Sequence, residues 1–82
     1  MFHQIEFCRM TFADVERPEY VFMQRLVIKE GERLAARLKP YVQESAAGPV
    51  EVADLCLDDG SILKAVHYAA FRFLDGAKAR KA

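Results

Sequence analysis

The sequence predicts an α+β domain: about four antiparallel strands in the order ββαββ, with one proline-kinked helix packed on one face of the sheet. Three observations predict it. An Asp59-Gly60 pair separates two apolar runs within residues 50–68, the strongest short-range signal for a β-hairpin. The segment 2–12, FHQIEFCRMTF, is rich in aromatic and β-favouring residues. The segment 30–46, EGERLAARLKPYVQESA, is built of helix formers.

Along the chain, residues 2–12 read as a strand whose alternation switches part-way. Ile5 and Phe7 share one face, and Met10 and Phe12 fall on the other, which suggests a bulge or a strand with two partly buried faces. Residues 13–19, ADVERPE, read as a connection, because Pro18 restricts Arg17 to extended backbone and interrupts a ladder. Residues 20–29, YVFMQRLVIK, read as a strand, the alternative being a helix whose stripe of Met23, Leu26 and Val27 continues through Leu34 and Leu38. Val, Ile, Tyr and Phe favour the pleated surface, and Gly31 weakens a helix continuing beyond them.

In 30–46, Leu34, Leu38, Tyr41 and Val42 lie at helical spacing and form an apolar stripe. Glu30 and Glu32 sit in the first turn, where the dipole favours acids. Pro40 kinks or splits this helix, and Ala46-Ala47-Gly48-Pro49 stops it.

A two-residue turn at Asp59-Gly60 would place Cys56 opposite Leu63, Asp54 opposite Ala65 and Val52 opposite His67. The competing reading starts a helix at Ser61, with Ile62, Val66, Ala69, Ala70 and Phe73 as its stripe, and makes the C-terminal half mostly helical. Between the two stands a strand to about Tyr68 followed by a short helical turn over 69–74.

At 82 residues the chain is one small domain, taken as residues 1–76, with 77–82 as a basic, disordered tail. Formal net charge is zero, but Lys78, Arg80 and Lys81 lie in the last five residues and leave a mildly acidic body. Such a body does not read as a nucleic-acid surface. A hydrophobic fraction of 52% argues against disorder and is more than so small an interior hides easily. No signal peptide and no apolar run of about 20 residues is evident, so a cytoplasmic location with Cys8 and Cys56 reduced is expected.

Few residues carry chemistry. Asp58 and Asp59 are explained by turn formation, since neighbours in a tight turn diverge rather than converge on a substrate. Asp54 and His67 form a weak polar-pair candidate on one hairpin face. Cys56 stands about 13 Å along the strand from His67, too far for a catalytic dyad. Neither cysteine has CxxC spacing, His3 and Cys8 point apart on a strand, and no phosphate loop occurs. No catalytic residue, metal or cofactor is therefore assigned.

The functional expectation is a small non-catalytic interaction module or adaptor that self-associates through an open apolar sheet face, because one helix covers only one face. A homodimer or a protein partner is expected, with Phe22, Val50, Val52, Leu63 and Phe71 as interface candidates. The alternative is a nucleic-acid-binding accessory domain using sheet aromatics and the basic tail.

Overall fold

The computed structural model describes residues 1–19 and 21–74. The expected basic tail, 77–82, lies outside the described residues. Seven strands run in the order β1 (His3–Phe7), β2 (Thr11–Glu16), β3 (Gln24–Ile28), β4 (Arg33–Ser45), β5 (Gly48–Leu57), β6 (Ile62–His67) and β7 (Phe71–Phe73). A single 3₁₀ turn, Tyr68–Ala70, precedes β7. They form one antiparallel sheet ordered β3-β2-β6-β5-β4-β1-β7, curled into a half-barrel.

The α+β expectation is overturned, because the described residues contain no α-helix. The segment expected to be a kinked helix is β4, the longest strand. The four-residue step from Leu34 to Leu38 is one helical turn and also two strand repeats, so it suits either period. Ala36 between them is fully buried, which only the two-residue period explains. Pairing with β1 on one side (His3↔Ala36) and β5 on the other (Leu38↔Leu55) overrode helix propensity. Pro40 does not kink a helix. It lies four residues beyond the last β1–β4 pair, where among the described residues that edge of β4 is unpaired and a missing N–H removes no ladder bond.

The N-terminal stretch is two strands rather than one bulged strand, and β2 occupies most of the segment expected to be a connection. Ala13 and Val15 alternate inward while Asp14 and Glu16 face out, a strand pattern that the acidic residues obscure. The C-terminal half is not helical. After β6 and the 3₁₀ turn, Phe71–Phe73 returns as a strand along β1.

The hairpin forms, but its loop holds three residues. The Leu57 N–H donates to the Ser61 carbonyl at 2.8 Å, and the Gly60 N–H donates to the Leu57 carbonyl at 3.2 Å. Gly60 has φ +90°, so the turn ends in a left-handed glycine. This shifts the pairing near the turn to Cys56↔Ile62 and Leu55↔Leu63. One extra residue in β6, at Lys64-Ala65, then restores Ala53↔Val66 and Val52↔His67. The bulge turns Val66 inward, although it is an odd number of residues from Leu63.

The curl needs no helix to cover it. Ile5, Phe7, Ala13, Val15, Ile28, Leu55, Leu63, Val66 and Phe71 fill its concave side with Leu34, Leu38 and Phe73 packed against them. Burying this apolar surface is the main stabilising contribution. At the mouth of the curl, the Cys8 N–H donates to Ala70 and the Gly31 N–H to Phe7, tying the connections across β1. No helix among the described residues is long and apolar enough to cross a membrane.

Candidate interaction surface

The convex side of the sheet is polar and knit by ion pairs between neighbouring strands. Glu6 on β1 lies between Arg33 on β4 (3.5 Å) and Arg72 on β7, and the hydrogen bond from Arg72 is the main reason its carboxyl stays below its ordinary range. Lys64 on β6 reaches Asp54 on β5 at 3.0 Å and Glu16 on β2 at 3.7 Å.

Asp54 is the centre of this network. Its carboxylate accepts from the Tyr41 hydroxyl at 2.9 Å, the Lys64 ammonium at 3.0 Å and the Ala65 main-chain N–H at 2.9 Å. Burial pushes its pKa up, but these three bonds outweigh burial and hold the carboxyl below its ordinary value. The same contacts raise Lys64, chiefly through its bond to Asp54, and raise Tyr41 through burial and then the Asp54 bond. Every partner of Asp54 is on its own chain, so the network is accounted for by the fold.

His67 does not join it. His67 is exposed opposite Val52, and no hydrogen bond links it to Asp54 among the described residues. The five residues named from sequence as interface candidates separate into two groups. Val52, Leu63 and Phe71 are buried at 0%, 1% and 6% exposure inside their own chain. Phe22 is exposed and Val50 half-buried. Of the sheet aromatics, Phe7 and Phe71 belong to the core and Phe73 packs on it.

Most of the exposed large apolar side chains among the described residues lie instead on or beside β2 and β3, with Met1, Phe2, Tyr41 and Val42 elsewhere. β2 and β3 pair Phe12 with Val27 on the convex side and Ala13 with Leu26 on the concave side. Phe12 is 56% exposed, Val27 48% and Leu26 41%. Met10 precedes β2, and Val21, Phe22 and Met23 precede β3; all four are exposed. Arg25 is held by Asp14 at 3.3 Å on the same convex side. Sequence reasoning found Phe22 but missed Phe12, Leu26 and Val27 as surface residues. The alternation in Thr11–Glu16 was the available signal, since it puts Phe12 with Asp14 and Glu16 on the solvent side.

Among the described residues no group of three or more His, Cys, Asp or Glu side chains is gathered as metal ligands. No protein-family model, no curated protein and no solved structure matches this chain significantly.

Proposed function

We propose that this chain is a small non-catalytic protein-interaction module that self-associates through the apolar corner of β2 and β3. The observation that carries the reading is the concentration of exposed Met10, Phe12, Val21, Phe22, Met23, Leu26 and Val27 on and beside the β2–β3 hairpin, against only Met1, Phe2, Tyr41 and Val42 elsewhere among the described residues. Exposed apolar side chains concentrated on one hairpin mark a binding site, because their hydration is unfavourable until a partner covers them. The titratable groups with displaced pKa values support a structural use, since they bond to each other, to arginines or to the main chain.

Sedimentation of the full chain across a concentration series tests the reading. A dimer forming in the micromolar range is expected, and the double variant Phe12→Ser/Val27→Ser is expected to remain monomeric at the same concentrations. A wild-type monomer throughout the series, or a double variant that dimerises as well as wild type, overturns it.

A further inference from the structure

The outermost strand on the β2 side is β3, which among the described residues pairs with β2 and leaves its other edge unpaired. Proteins usually blunt such an edge with lysine, proline, a bulge, an inward charge or shortness. The opposite edge follows that practice through shortness: β7 is only three residues long. β3 does not. Gln24–Ile28 contains neither lysine nor proline, and its register against β2 is unbroken from Val15↔Gln24 to Thr11↔Ile28. Its one charge, Arg25, faces outward onto Asp14. Apolar side chains are exposed on both of its faces, Leu26 on the concave side and Val27 on the convex side.

We propose that β3 pairs antiparallel with β3 of a second copy about a two-fold axis through Leu26, joining two seven-stranded sheets into one. The inference rests on the self-association proposed above and names the strand and register that carry it. Charge selects the register. Keeping the two concave sides continuous requires facing residues to share a side of the sheet. A two-fold through Arg25 sets that arginine against its own copy, and one through Val27 sets Arg25 against Lys29. Like charges directly opposite each other are unfavourable. The axis through Leu26 instead pairs all five strand residues: Gln24 with Ile28, Arg25 with Val27 and Leu26 with itself. No charge then faces its like, and the chain's formal net charge of zero adds no long-range repulsion.

Cross-linking in the full chain tests the register. In a background carrying Cys8→Ser and Cys56→Ala, Leu26→Cys and Gln24→Cys are compared under mild oxidation and with a short bis-maleimide. Across the proposed axis the two positions 26 lie about 5 Å apart at Cβ, and the two positions 24 about 13 Å apart. Covalent dimer is expected at least tenfold faster from position 26. Equal or faster reaction at position 24, in a protein that sediments as a dimer, overturns the β3 register and leaves self-association standing. A protein that stays monomeric removes both. Hydrogen exchange on the wild-type chain gives a readout that needs no variant. Protection of amides in 24–28 is expected to rise at least tenfold as concentration crosses the dimerisation range, and dimerisation without that rise overturns the pairing.

Discussion

The Asp54 carboxylate accepts a hydrogen bond from the main-chain N–H of Ala65 at 2.9 Å, and Ala65 holds a φ of +54°. These two residues face each other across the bulge in β6. The extra residue in a bulge leaves a ladder donor without its usual partner, and the aspartate supplies the acceptor. Because Tyr41 and Lys64 donate to the same carboxylate, the bulge is tied to strands on both sides of β5.

Asp54→Ala removes that acceptor and leaves a partly buried N–H unsatisfied. A loss of about 1–3 kcal/mol is expected, which corresponds to a fall in Tm of roughly 4–8 °C for each kcal/mol in a domain this small. Thermal unfolding followed by circular dichroism measures it. A change in Tm too small to detect would mean that the bulge holds without its aspartate.

The backbone at Ala65 makes the opposite prediction for glycine. A non-glycine residue in the left-handed region costs about 1–2 kcal/mol, and glycine adds about 0.5–1 kcal/mol of chain entropy to be lost. Ala65→Gly is therefore expected to stabilise by up to about 1 kcal/mol. Ala65→Val should destabilise, since a β-branched side chain suits this conformation least. Urea unfolding midpoints for the two variants should move in opposite directions.

Acid should weaken the fold through Asp54 and Glu6. Burial raises the Asp54 pKa, but the bonds from Ala65, Lys64 and Tyr41 prevail, while the Arg72 hydrogen bond leads in lowering Glu6. With both folded-state values below the unfolded ones, the unfolded chain binds more protons over that range. Stability is then complete above the ordinary carboxyl values and is lost as pH falls through the lowered ones. Tm is expected to drop from about pH 5 to about pH 3, and Asp54→Asn should show a shallower drop than wild type.

Leu63 and Phe22 separate the core from the docking surface. Leu63 is 1% exposed and Phe22 80%. Leu63→Ala should cost about 2–5 kcal/mol by leaving a cavity, whereas Phe22→Ala should stay within about 0.5 kcal/mol in a dilute, monomeric sample. Chemical denaturation at low concentration distinguishes them. Similar losses for both would place Phe22 in an intramolecular contact instead.

The hairpin was legible because turn chemistry is local: Gly60 takes a positive φ, and Val52 stands opposite His67. Its details were less so. A three-residue loop and a β6 bulge displace the register in opposite senses, and only the bulge lets both Leu63 and Val66 face the core. The helical reading of 61–74 rested instead on Ile62, Val66, Ala69, Ala70 and Phe73, whose spacing mimics a helix although 62–67 is a strand. In β4 the ambiguity was of another kind, since Leu34 and Leu38 satisfy both periods and only the neighbouring strands decide between them.

The sequence by itself showed an apolar-rich chain and favoured strands for β3 and for the β5–β6 hairpin, while leaving a helix open for 20–29 and from Ser61 onward. Tertiary structure alone decided that residues 33–45 are a strand, and that the sheet curls upon its own apolar side. It also placed Val52, Leu63 and Phe71 inside while leaving Phe12, Leu26 and Val27 outside. The reason is physical. Turns and alternation act over a few residues, whereas the choice between helix and strand in β4 is made by partners distant in sequence, β1 through His3↔Ala36 and β5 through Leu38↔Leu55.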